Sequence, residues 1–205
     1  MIKIKFCGLT SEEDIVCVNA CLPDYIGFVF APQSRRYISP DKARLLRKNL
    51  DGRIMPVGVF VNETAERVAA LLNSGTIGMA QLHGNEDTKY IRHLRTLTDK
   101  SLIQAFKVAG GADVEAAQNS EADFVLLDAS RAGSGETFDW TLIGRIDRPF
   151  FLAGGLNARN AADAAGKLNP YALDVSSGIE SCGHKDIDKM RAFLRAVRKY
   201  RGEMI

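Results

Sequence analysis

The sequence predicts a closed (β/α)8 barrel in a single α/β domain spanning residues 1–205. Two observations lead there. Short apolar runs alternate with helix-like segments roughly eight times across 205 residues, about 25 residues per unit, which typical strand, helix and loop lengths allow. Several of those runs, such as Tyr25-Ile26-Gly27-Phe28-Val29-Phe30, are apolar on both faces, as in strands buried within a parallel sheet. The alternative is a doubly wound open sheet. It needs fewer strands, and no G-x-G-x-x-G follows the first strand.

The elements follow in order. Lys3 to Phe6 alternates Lys with Ile and Phe, a short strand ending in Cys7-Gly8. Thr10 and Glu13 have capping-box spacing for a helix burying Ile15, Val18 and Leu22. After the Tyr25–Phe30 strand, a polar loop from Ala31 to Ser39 carries Arg35-Arg36-Tyr37, and Ser39-Pro40 starts a helix over Asp41–Leu50. Val57 to Phe60 is a strand that Pro56 limits. Asn62 is the expected cap of a helix burying Val68, Leu71 and Leu72. Gly78–Leu82 is a strand running into His83-Gly84, with a helix from Glu86 to Leu97. Leu102–Val108 is a strand, Asp113–Asn119 an Ala-rich helix, and Phe124–Asp128 a strand ending in an acid. A Gly-rich loop from Ala129 to Thr137 precedes a short helix opened by Phe138-Asp139-Trp140. Pro149–Ala153 leads into Gly154-Gly155, and Asn157 is the expected cap of a helix over Ala158–Leu168. Tyr171–Val175 leads into Ser176-Ser177-Gly178, and the last helix buries Met190, Phe193, Leu194 and Val197.

Composition narrows the function. Apolar residues make up 46% and charged residues 25% of the chain, with a net charge of +2. That is an ordinary globular mixture and argues against a dedicated nucleic-acid surface. The basic run from Arg191 to Arg201 reads as cations near the end of the last helix. Cys7, Cys17, Cys21 and Cys182 form no CxxC pair and no zinc spacing with His83, His93 or His184. With no signal-peptide pattern and no membrane-length apolar stretch, a cytoplasmic protein with reduced thiols and no membrane partner is expected.

On such a barrel Cys7, Arg36, His83, Asp128, Gly154, Gly155, Ser176, Ser177 and Gly178 all fall at strand ends or in the loops just after them, hence on the carboxyl-end rim where barrel enzymes work. The glycines and hydroxyls of the last two loops leave backbone amides open to an anion, so phosphate binding is expected there; the other reading is tight turns alone. Asp128 ends an apolar strand, where desolvation suits a carboxyl to holding a proton, or it serves as a cap or ion partner. Arg36 can fork onto a carboxylate, or be a solvated loop cation. His83 can contact substrate or be a satisfied core residue. Cys7 can be a base or nucleophile, or a small apolar filler.

Taken together, Lys5-Phe6-Cys7-Gly8-Leu9-Thr10, Ser34-Arg35-Arg36-Tyr37, Gln81-Leu82-His83-Gly84, Leu126-Leu127-Asp128, Gly133-Ser134-Gly135, Leu152-Ala153-Gly154-Gly155-Leu156 and Asp174-Val175-Ser176-Ser177-Gly178 resemble, from end to end and in order, the phosphoribosylanthranilate isomerases of tryptophan biosynthesis. The chain departs from that family's usual pattern at Phe6, commonly Ile, and at Ala132, commonly Gly. The resemblance implies an Amadori rearrangement of an aminoaldose to an aminoketose, an intramolecular aldose–ketose conversion on a small phosphorylated substrate that needs no metal or redox cofactor. It implies Cys7 as base, with a thiol pKa lowered at the strand-to-helix junction, and Asp128 as acid. Arg36 would hold the anthranilate carboxylate, and the Gly/Ser loops the phosphate. A monomer or homodimer is expected. The neighbouring reading, the sugar-phosphate isomerase of histidine biosynthesis, would carry Asp in place of Cys7 and two similar half-barrels. A non-catalytic phosphate-binding barrel would need neither acid nor thiol on its rim.

Overall fold

The structure is a computed structural model that describes residues 1–128, 140–144 and 146–199. The expected Ala129–Thr137 loop with Gly133-Ser134-Gly135, the helix opening at Phe138-Asp139 and the end of the basic run at Arg201 lie outside them. Eight parallel strands close into one barrel in sequence order: β1 (Lys3–Cys7), β2 (Tyr25–Val29), β3 (Met55–Phe60), β4 (Met79–Leu82), β5 (Ser101–Lys107), β6 (Phe124–Asp128), β7 (Phe150–Ala153) and β8 (Ala172–Val175), with β8 pairing back onto β1. Around them lie α1 (Glu12–Cys21), α2 (Pro40–Lys48), α3 (Ala65–Asn73), α4 (Thr88–Leu97), α5 (Gly111–Gln118), α6 (Ala161–Leu168) and α7 (Ile187–Lys199). Between β6 and β7 a 3-10 turn covers Trp140–Ile143. Among the described residues no helix is long and apolar enough to cross a membrane.

Strand side chains alternate by two, and this divides the core. Ile4, Phe6, Ile26, Phe28, Leu127, Leu152 and Leu173 face outward into the shell shared with the helices, where Val18, Leu72, Leu94 and Phe193 meet them. Val57, Met79, Ile103, Leu126, Phe151 and Ala172 fill the barrel interior. At its amino end Tyr25, Phe124, Phe151 and Tyr171 pack ring against ring, and the Tyr25 and Tyr171 hydroxyls hydrogen-bond at 2.7 Å.

Several local expectations need correction. The capping box of α1 is Ser11/Asp14, one residue on from Thr10/Glu13. The turn at Gly8 takes an extra residue, and the Asp14 carboxylate accepts from the amides of both Thr10 and Ser11. Leu22, expected on the buried face, is the left-handed C-cap; Cys21 takes the buried position. Pro56 lies inside β3. In a parallel strand successive residues face opposite neighbours: Met55 donates to Asp24, whereas the Pro56 carbonyl accepts from Gly78 on the β4 side. Its missing donor thus points to that side before β4 begins at Met79 and costs no ladder bond. Thr64, not Asn62, caps α3; Asn62 is left-handed, and its Oδ1 accepts from Asn85. Asn157 makes a turn onto Arg159, and α6 starts only after Asn160.

One element was not expected. After β8, a 3-10 turn (Ser177–Ile179) runs into a small antiparallel hairpin, β9 (Glu180–Ser181) and β10 (His184–Lys185). Its two-residue loop, Cys182-Gly183, has φ of 51° and 84°. Positive φ at both central residues marks a type I′ turn, the one that matches strand twist.

Candidate active site

The carboxyl-end rim surrounds a cavity of about 330 Å³ whose walls include Cys7, Arg36, His83, Asp128, Gly154, Gly155, Ser176 and Ser177. Eight of the nine residues expected at the site thus converge on one space. The ninth, Gly178, stands behind it: a Cβ there would sit 1.9 Å from the Leu156 carbonyl oxygen, so its bare backbone lets the loop after β8 press against the loop after β7. A hollow of about 190 Å³ between α2 and α3 shares none of the nine.

Cys7 ends β1, half-buried. Gly8 (φ 84°) turns the chain away, and the amides of Gly8 and Leu9 both donate to the Gly27 carbonyl. Gly27 also makes room for the thiol, since a Cβ at that position would lie 2.6 Å from Sγ. The Ser176 hydroxyl donates to the Cys7 carbonyl at 3.0 Å and ties the last loop to the first strand.

Below the cavity runs a polar chain that the sequence reading missed. Lys5 is 0% exposed, and its ammonium donates to Asp174 Oδ2 and to Gln81 Oε1, both at 2.6 Å. Because the Gln81 oxygen is taken by Lys5, its amide nitrogen faces His83 Nδ1 at 2.7 Å. Nδ1 must then accept, which puts the hydrogen of the neutral ring on Nε2. Nε2 looks at Asp128 Oδ2 from 3.5 Å. Asp128 is 16% exposed at its side chain and ends β6 opposite Lys107 of β5.

Arg36 is held rather than loose. Its Nε and Nη2 donate to the two oxygens of Glu180 at 2.7 and 2.8 Å, and Lys185 donates to the same carboxylate at 2.7 Å. Burial of Glu180 opposes its charge, but hydrogen bonds from Arg36 and Lys185 hold its carboxyl down at about 2. The hairpin therefore brings two further charged side chains to the rim. The alternation of Lys3 and Lys5 with Ile4 and Phe6 was a signal for Lys5. Glu180 and Lys185 stand in the stretch after Gly178 that resembles the same isomerase family, but their pairing with Arg36 became legible only with the hairpin.

The thiol runs against expectation. Burial pushes Cys7 above its ordinary value; the Lys5 and Lys185 ammoniums pull it down, and Asp174 pushes it up. In this structure the net direction is upward, because desolvation at the end of a buried strand outweighs any gain from the junction.

A closed parallel barrel whose carboxyl-end rim gathers a thiol, a carboxyl, a fixed guanidinium and two glycine-rich loops defines a sugar-phosphate-type barrel enzyme. A profile of the N-(5'phosphoribosyl)anthranilate (PRA) isomerase family matches residues 4–196. An N-(5'-phosphoribosyl)anthranilate isomerase of Endomicrobium trichonymphae is 44% identical over 202 residues, covering 97% of this chain and 99% of that one. The crystal structure of the Thermotoga maritima isomerase superposes with a TM-score of 0.89 at 37% identity, covering 97% of this chain and 100% of the other. An isomerase crystallised with reduced 1-(o-carboxyphenylamino)-1-deoxyribulose 5-phosphate superposes at 0.87 and 36% identity, with the same coverage. The chain belongs to the phosphoribosylanthranilate isomerase family. It converts N-(5'-phosphoribosyl)anthranilate to 1-(2-carboxyphenylamino)-1-deoxyribulose 5-phosphate in tryptophan biosynthesis.

Proposed function

We propose that Asp128 and Cys7 carry this rearrangement as acid and base. The observation behind it is that both line one cavity from strands three places apart around the eight-stranded ring, β6 and β1. Substrate lying between them meets an acid on one side and a base on the other. Asp128 gives its proton to the furanose ring oxygen, and the C1–O bond opens to an iminium. The Cys7 thiolate then takes the C2 proton that the iminium has acidified, and the resulting enolamine becomes the aminoketose as a proton goes to C1 and the C2 hydroxyl gives up its own. His83, whose Nε2 faces Asp128, contacts the acid from the β4 side.

The remaining residues bind. Backbone amides of the loops at Gly154-Gly155 and Ser176-Ser177-Gly178 hold the phosphate, a reading supported by the left-handed φ of Gly154 (99°) and Gly155 (63°). Arg36 holds the anthranilate carboxylate. Glu180 occupies two of its donors, so it presents a fixed edge of the guanidinium, and the adjoining Lys185 keeps the local charge positive. The enzyme works in the cytoplasm as a monomer or homodimer, and size-exclusion chromatography with light scattering decides which.

The decisive experiment follows anthranilate fluorescence during turnover of Cys7→Ser and Asp128→Asn. Each variant folds and each loses at least about a hundredfold in kcat, since general acid or base catalysis is worth about 10²–10⁴. A Cys7→Ser enzyme that keeps most of its turnover overturns the thiol as base.

A further inference from the structure

We propose that Lys5 is a positioning residue for this reaction: its buried ammonium, fixed by Asp174 and Gln81, steadies the thiolate form of Cys7. The inference rests on Cys7 being the base.

Lys5 and Cys7 are two residues apart on β1, so both side chains enter the barrel. Asp174 is the direct register partner of Lys5 on β8. An ammonium has three hydrogens. Two are committed at 2.6 Å, one to Asp174 and one to Gln81, and both of those partners line the same cavity as Cys7. Gly27, facing the thiol from β2, contributes no side chain that could shield it.

Such an arrangement has no clear value as a stabiliser. Buried ion pairs are commonly matched or bettered by apolar residues of similar volume. This one also leaves Asp174 Oδ1 buried without a hydrogen-bond partner among the described residues, which itself is costly. A charge kept there without a clear gain in stability is explained by what it does to its neighbour. Burial alone would depress Lys5, yet Asp174 and Cys7 raise it above its ordinary value and keep it charged.

The charged groups that face Cys7 are Lys5 on β1, Asp174 on β8, Lys185 on β10 and Arg36 in the loop after β2; His83 and Asp128 share the cavity. Lys5 lies two residues from Cys7 on the same strand, while Asp174 reaches in from β8; Lys5 pulls the thiol down and Asp174 pushes it up.

The test measures alkylation of the free enzyme by iodoacetamide against pH, read at Cys7 by fragment mass spectrometry so that Cys17, Cys21 and Cys182 do not interfere. The pH profile of kcat/KM is recorded alongside. In Lys5→Met the alkylation profile moves up by about one pH unit or more, as for loss of a close opposite charge, and the rate at pH 7 falls about tenfold. The acid limb of kcat/KM moves with it. Lys5→Met leaves Asp174 bare, so Lys5→Met/Asp174→Asn guards against misfolding; its profile shifts upward by less. An alkylation profile of the folded double variant that is unmoved, or moved down, overturns the role of Lys5. A profile that moves while the limb of kcat/KM stays put upholds Lys5 acting on the thiol and overturns Cys7 as the base.

Discussion

Gly178→Ala tests how tightly the last two loops must fit. The new Cβ would start 1.9 Å from the Leu156 carbonyl oxygen, 2.9 Å from its carbon and 3.0 Å from the Asn157 Cα. All three atoms are backbone, so no side chain can swing aside. One loop must retreat by more than about 1 Å, since real Cβ contacts closer than 3.0 Å essentially do not occur. Overpacking of this kind costs about 1–3 kcal/mol. In a chain of 205 residues that lowers Tm by about 2–12 °C. With the phosphate held where proposed, the same retreat spreads the amides that would face it. Losing a hydrogen bond to a charged group is worth about 1.5–3 kcal/mol, so KM rises about tenfold to a hundredfold. Gly52→Ala is the control: nothing lies within 4 Å of a Cβ there, and such surface changes stay within about 0.5 kcal/mol. Calorimetry and anthranilate fluorescence give both numbers. If Gly178→Ala melts and saturates like Gly52→Ala, the loops are not apposed as described, and they do not owe their phosphate geometry to that contact.

Two further outcomes are expected. Arg36→Met raises KM by about tenfold to a hundredfold through loss of one charge-assisted bond; a defect confined to kcat would remove Arg36 as the carboxylate clamp. Glu180, held at about 2 from an ordinary 4.5, contributes stability that is full above about pH 4.5 and is lost as pH falls toward 2. Melting temperatures between pH 6 and 2 therefore fall more steeply for wild type than for Glu180→Gln, and parallel curves would contradict the pairing.

The barrel was legible because each strand carried its own two-residue alternation or apolar run, and that information is local. β6 needed no correction at either end. What slipped was capping. Asn62, Asn157 and Thr10 have the right chemistry for caps, but Asn62 and Asn157 were drawn instead to Asn85, Arg159 and Gly155, and Thr10 gives its amide to Asp14. Those partners are set by the turns that precede the helices. The rim residues could be read since a barrel sends every strand's carboxyl end the same way. Lys5 and Asp174 were harder to read. On a strand facing water they would be ordinary polar alternates, and only closure of the ring turns that face inward and makes them partners 169 positions apart.

The aromatic layer formed by Tyr25, Phe124, Phe151 and Tyr171 makes the barrel a vessel stoppered at one end. Above the stopper lie Lys5 and Asp174, then the cavity, then the opening on the carboxyl side. Among the described residues the cavity opens on the carboxyl side, the side from which substrate enters. With Cys7 as the proposed base, a substrate filling that opening would separate a proton lifted from C2 from bulk solvent and favour its being handed back.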